Sequence, residues 1–142
     1  MATPTAVTYT QWDGTRGATY WRAEWSTGDQ FTDEVIVDIS TLTGSGPDTA
    51  PTAVKVLEIK ATLNGDVEAT LEFDATTDQL IYVFENQTDS ALSDVIGFWE
   101  FPSGGRVPNA AAAGFVGDIM LSTSNMASGD ELTLVILYER KR

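Results

Sequence analysis

The stretch Leu57-Glu58-Ile59-Lys60-Ala61-Thr62-Leu63-Asn64-Gly65-Asp66-Val67-Glu68-Ala69-Thr70-Leu71-Glu72-Phe73 decides the fold class. Leu57, Ile59, Ala61 and Leu63 alternate with Glu58, Lys60 and Thr62, and Val67, Ala69, Leu71 and Phe73 alternate with Glu68, Thr70 and Glu72. Side chains on a strand point to opposite faces at period two, so each run reads as a half-buried strand. Asn64-Gly65 tolerates the positive φ values of a tight turn, which predicts a hairpin whose arms pair with each other. In that hairpin Glu58 and Lys60 would face Glu68 and Glu72 across the strands. The alternation slips by one between Val56 and Leu57, which predicts a β-bulge or a late strand start.

Strand patterns continue in both directions. Towards the C-terminus, Phe115 to Thr123 and Asp130 to Tyr138 flank a polar Ser124–Gly129 link, which predicts two neighbouring strands. Leu132, Leu134, Ile136 and Tyr138 share one face of the second strand, with Val135 and Leu137 on the other. That predicts a mid-sheet strand covered on both sides. Leu80 to Phe84 is also apolar on both faces and reads as a central strand. Gly97 to Phe101 is an aromatic strand ended by Pro102.

Towards the N-terminus, Glu34 to Ile39 presents Val35, Val37 and Ile39 on one face. Ala18 to Trp25 sets Trp21, Ala23 and Trp25 against Tyr20, Arg22 and Glu24. A turn at Trp12–Gly17 precedes it, and Thr5–Thr10 reads as an edge strand or as part of an extended arm over residues 1–12. Thr41–Thr52 and Asn86–Asp94 are loops, with Ala91-Leu92 as one helical turn in the second. No segment sustains a 3.6-residue apolar period. Eight or nine strands over residues 1–142 predict an all-β, single-domain antiparallel β-sandwich, jelly-roll-like or immunoglobulin-like.

Composition narrows the chemistry. A chain of 142 residues buries about two-thirds of its unfolded surface without staples. It has neither cysteine nor histidine, which removes disulfides, thiolate and imidazole metal sites, and Ser-His-Asp or Cys-His catalysis. A net charge of −13 opposes nucleic-acid binding, which needs cations to displace phosphate counterions. No apolar run is long enough to span a membrane, and the N-terminus lacks a signal pattern, so synthesis in a cytoplasm is expected. Three of the eight basic residues are Arg140, Lys141 and Arg142, so residues 139–142 form a basic tail on an acidic chain.

No catalytic pair, cofactor-binding motif or metal site stands out. Asp74 to Asp78 has the oxygen density of a calcium loop but not EF-hand spacing, and reads as a turn whose side chains bond their own backbone. Asp118 and Asp130, each after a glycine, read the same way. Gly104-Gly105-Arg106 lacks the Lys-Ser/Thr and helix of a phosphate loop. Trp21, Trp25 and Trp99 are candidates for stacking on sugar rings, set against core packing as the ordinary use of large aromatics.

Leu71-Glu72-Phe73-Asp74-Ala75-Thr76-Thr77-Asp78, then Gly114-Phe115-Val116-Gly117-Asp118-Ile119-Met120-Leu121-Ser122-Thr123, Ser128-Gly129-Asp130 and an apolar strand with a basic tail, resemble small β-rich decoration or cement proteins of tailed-bacteriophage capsids. The likeness spans about residues 54–142. It implies a non-enzymatic virion protein on the outer capsid surface. Such a protein is made in the host cytoplasm, binds the major capsid protein and self-associates, often as a trimer. The expected capsid or subunit contacts are Val7, Tyr9 and Trp12 near the N-terminus and Arg140, Lys141 and Arg142 in the tail. The alternatives are a carbohydrate-binding module using Trp21, Trp25 or Trp99, and a tail or neck component.

Overall fold

The computed structural model describes residues 5–43, 50–64, 68–85, 94–101 and 105–141, with the backbone alone at 5, 85 and 94–99. Among these, nine strands build an antiparallel β-sandwich. The strands are β1 (Thr5–Trp12), β2 (Arg16–Glu24), β3 (Glu34–Val37), β4 (Val54–Asn64), β5 (Glu68–Phe73), β6 (Gln79–Glu85), β7 (Asp94–Glu100), β8 (Ile119–Ser124) and β9 (Glu131–Arg140). The larger sheet runs β1-β2-β9-β4-β7 and the smaller β3-β8-β5-β6. A short 3₁₀ turn, Ile39–Thr41, follows β3, with the Asp38 carboxylate accepting from the Ser40 N–H.

The core lies between the sheets. Trp21, Ala23, Ile59, Ala61, Leu63, Leu132, Leu134, Ile136 and Tyr138 come from the larger sheet, and Ile36, Val37, Ala69, Leu71, Phe73, Ile81, Phe84, Ile119 and Leu121 from the smaller. Phe31 ties the aromatic end together. Trp21 and Trp25 meet it edge-on at centroid distances of 5.4 and 5.6 Å. The alternations in Ala18–Trp25 and Leu132–Tyr138 are those that period two requires, with the named apolar residues inside. The slip at Leu57 is a real irregularity, since Val56 pairs with Tyr138 but Glu58 with Leu137.

The pairing of the arms around Asn64-Gly65 differs from the expectation. β4 lies between β9 and β7, and β5 between β8 and β6. Both hydrogen-bonding edges of β4 are therefore occupied, and the connection after Asn64 passes from one sheet to the other. Gly65 itself lies outside the described residues. The expected charge pairing of Glu58 and Lys60 with Glu68 and Glu72 falls with the hairpin. The same crossing separates β8 from β9, which were expected as neighbours. Six of the eight successive connections change sheets, leaving hairpins at β1–β2 and β5–β6.

Three further corrections concern position within a sheet. β9 is the middle strand of its sheet, yet Val135 and Leu137 on its outer face are only half-buried. β6 is an edge rather than a centre, and a register shift opposite Leu71 and Glu72 leaves Leu80 and Val83 exposed. In β3 a shift between Val35 and Val37 turns Ile36 inward and leaves Val35 exposed. The helical turn expected at Ala91-Leu92 lies outside the described residues.

Candidate functional site

Residues 5–12 form an edge strand and not a free arm. β1 pairs with β2 from Thr5–Glu24 to Trp12–Gly17 without a shift. The Asp13 carboxylate caps the connecting turn by accepting from the Thr15 and Arg16 N–H groups at 2.8 and 2.7 Å. These bonds, led by that from Arg16, hold the Asp13 carboxyl below its ordinary value.

The hairpin's hydrogen bonds determine which backbone groups are left open. The Asp13 N–H donates to the Arg16 carbonyl at 3.0 Å. Antiparallel ladders alternate bonded and non-bonded pairs, so Gln11, Tyr9 and Val7 also turn their backbone groups towards β2. The Trp25 N–H donates to the Asp130 carbonyl at 2.9 Å, which assigns the complementary residues of β2 to β9. Ala6, Thr8 and Thr10 therefore point their N–H and C=O groups away from the sheet, at its open side.

On the outer face, the register aligns Tyr9, Tyr20 and Val135 in a row across β1, β2 and β9. Val7 and Tyr9 are 58% and 62% exposed. Charges beside this row are matched. Arg22 meets Glu24 and Glu131 at 2.5 and 3.5 Å, and Glu139 meets Arg16 and Lys55 at 2.8 and 3.2 Å. Lys55 first, and then Arg16, hold the Glu139 carboxyl below its ordinary value. The apolar row thus lies on a locally balanced face of a strongly acidic chain.

Trp12 closes the far end of this edge from beneath. It stacks on Tyr138 at 6.0 Å, and the Arg140 guanidinium lies 5.8 Å from its ring centroid. Its buried indole N–H has no acceptor among the described residues. Gly17 makes the stack possible, because a Cβ there would lie 2.6 Å from the Tyr138 ring and 2.7 Å from that of Trp12. Thr10, Thr19 and Tyr138 continue inward as a chain of hydroxyls at 3.0 and 2.8 Å. Burial pushes the Tyr138 phenol up from its ordinary value. Above the corner, Gln11, Trp12, Asp13, Arg16, Gly17, Ala18 and Leu137 line a depression of about 350 Å³.

The remaining expected contacts are placed differently. Arg140 belongs to β9 and donates from Nε to the Gly14 carbonyl at 3.0 Å, and its own N–H bonds the Thr15 carbonyl. The Lys141 N–H bonds the Ala53 carbonyl. These residues hold the end of the sheet together, so they do not form a free tail. Arg142 lies outside the described residues. Trp21 and Trp25 are 1% and 3% exposed, and the Trp25 indole donates to the Asp29 carbonyl. Neither offers a face to a sugar ring. The side chain of Trp99 is not among those described.

The turn aspartates bond backbone. Asp78 accepts from the Ala75 N–H, Asp118 from Ile39 and Asp130 from Ala127. Burial is the leading cause that raises the Asp118 carboxyl above its ordinary value. Asp33, Glu72 and Asp78 bring carboxylate oxygens within 4.8 Å of one another on the smaller sheet. Spacing along the chain gave no sign of this cluster, because the fold assembles it from three separate elements. The segments at 71–78 and 114–123 also come together. β5 pairs with β8, the Asp74 carbonyl accepts from the Val116 and Gly117 N–H groups, and the Asp74 N–H donates to the Asp118 carbonyl.

Comparison with protein-family models and with curated proteins finds no match for this chain.

Proposed function

We propose that this chain is a non-enzymatic coat component of a tailed-phage virion, a decoration or cement protein that binds the major capsid protein on the outer capsid surface and self-associates. The observation that carries the reading is the exposure of Val7 and Tyr9 on the uncharged edge strand β1, with Tyr20 beside Tyr9 on β2. Protein interfaces favour such aromatic anchors in patches depleted of charge. The resemblance supplies the capsid, and its support is that two of the segments quoted for it, 71–78 and 114–123, form one hydrogen-bonded unit. Cementing needs only modest contacts, because many copies bind one particle at once.

The test is co-sedimentation of the purified chain with tail-free capsids of the phage that encodes it. Saturable binding at a fixed ratio to the major capsid protein is expected. Absence of binding to expanded capsids, or binding to isolated tails instead, overturns the capsid assignment.

A further inference from the structure

Among the described residues four strands, β1, β7, β3 and β6, have no further strand beside them, and three of these edges are blunted. β3 is four residues long, carries a register shift, begins with Glu34 and is flanked by Asp33 and Asp38. β6 is shifted too, and the Arg106 guanidinium donates from Nε and Nη2 to the Leu80 carbonyl at 3.2 and 3.0 Å. β7 bears Asp94 and Glu100 at its ends and Gly97 at its middle. Charge, bulges, shortness and covering groups are the usual defences against edge-to-edge pairing. Among the described residues β1 has none of them. Its eight residues, Thr-Ala-Val-Thr-Tyr-Thr-Gln-Trp, include no charge, no proline, no glycine and no shift.

We propose that β1 is the interface between two copies of this chain, paired antiparallel about a two-fold axis at Thr8, so that two five-stranded sheets become one of ten. The parity derived above selects this register. Ala6, Thr8 and Thr10 carry the outward backbone groups, and centring on Thr8 sets Thr8 against the partner's Thr8 and Ala6 against the partner's Thr10. The three bonded pairs supply about six hydrogen bonds. The intervening non-bonded positions then set Val7 against the partner's Tyr9, and Tyr9 against the partner's Val7. Side chains approach most closely at such positions, and an aromatic opposite a β-branched residue is a favourable cross-strand pair.

The arrangement is self-complementary, as a two-fold contact requires. A second copy fits better than a charged partner strand, because two chains of charge −13 repel over most of their surfaces and β1 lets them approach without facing carboxylates. The contact uses both β1 edges and closes at two copies, so a trimer would need another surface. This inference rests on the self-association in the proposed function but not on the capsid, and it is tested without one.

The cysteine-free chain permits a register-specific experiment. Under mild oxidation Thr8→Cys should form a covalent dimer, since bonded antiparallel partners have Cα atoms about 5.5 Å apart, within disulfide range. Thr10→Cys is the control, because two copies of that position would lie more than about 13 Å apart along the strands. The cross-linked fraction of Thr8→Cys should exceed that of Thr10→Cys by about tenfold or more. Sedimentation equilibrium of the unaltered chain should give a concentration-dependent mass approaching twice 15.3 kDa.

Thr8→Pro removes an outward N–H that β2 does not use, and should leave a folded monomer with the near-ultraviolet signature of the buried tryptophans intact. Equal cross-linking of the two cysteine variants, a monomer at every concentration, or a dimer that survives in folded Thr8→Pro would overturn the proposal. Capsid binding by a chain that stays monomeric would sink the dimer and leave the capsid reading standing.

Discussion

β1 and β6 are both edge strands, and each exposes two apolar side chains, Val7 and Tyr9 on one and Leu80 and Val83 on the other. Their backbones differ. β6 shifts register and gives the Leu80 carbonyl to Arg106, whereas β1 keeps one register and its outward groups have no partner strand among the described residues. Apolar exposure alone therefore does not mark an association surface, since scattered exposed apolar residues are ordinary. What distinguishes β1 is an apolar row above a ladder that is ready to extend. The end of β1 is anchored by the corner beneath it, where Trp12 stacks on Tyr138 across Gly17.

Disturbing that corner should break the comparison most strongly. Gly17→Ala drives a Cβ against both rings and should cost about 2 kcal/mol, the scale of overpacking a filled site. A lowered denaturant midpoint with an unchanged slope would show it. Dimer formation should weaken in parallel, because the hairpin that carries β1 is displaced. A variant as stable as the parent would mean that the Trp12–Tyr138 stack can open without penalty.

Arg106→Ala tests the other edge and should have the next largest effect. It uncovers the Leu80 carbonyl and should cost about 1 kcal/mol, the net worth of a typical hydrogen bond, or about 3 °C in melting temperature. β6 then resembles β1 more closely, so the variant should self-associate through a second edge and sediment heavier than the parent at high concentration. Lost stability without new association would show that the bulge alone protects β6.

Legibility in the sequence followed the range of the interactions. Alternation is local, so the inward faces at Trp21-Ala23-Trp25 and Leu132-Leu134-Ile136-Tyr138, and even the irregularity at Leu57, could be read directly. Pairing is not local. Asn64-Gly65 is compatible with a hairpin, but β9 and β7 occupy both edges of β4, and nothing near Asn64 reports that.

The site was legible in the same proportion. Val7 and Tyr9 are exposed as an edge strand requires, and Trp12 sits beneath the same edge. The Arg140-Lys141 end looked detached because its partners, Gly14, Thr15 and Ala53, are remote in sequence. The two buried tryptophans show why aromatic content alone cannot separate a sugar platform from a core.

The smallest expected effect contrasts the outer faces of the two sheets. Near β1, Arg16, Arg22 and Lys55 each have a carboxylate partner, whereas on the smaller sheet Glu72 faces Asp78 and Asp33. Burial first, and then those two carboxylates, raise the Glu72 carboxyl above its ordinary value of 4.5. A carboxyl raised in the folded state favours folding while it is protonated. That contribution is complete below the unfolded value and disappears as pH rises through the folded one. At neutral pH the ionised group therefore opposes folding, and Glu72→Gln should stabilise the chain by no more than about 0.5 kcal/mol, the usual range for a surface change. The gain should fade as pH falls through the raised folded value and be gone below 4.5, where the carboxyl is neutral in both states, and it should shrink in high salt as the repulsion is screened. Thermal melts of parent and variant across that pH range decide it. A gain of constant size at all pH values would assign the effect to packing and remove the carboxylate repulsion from the account of this face.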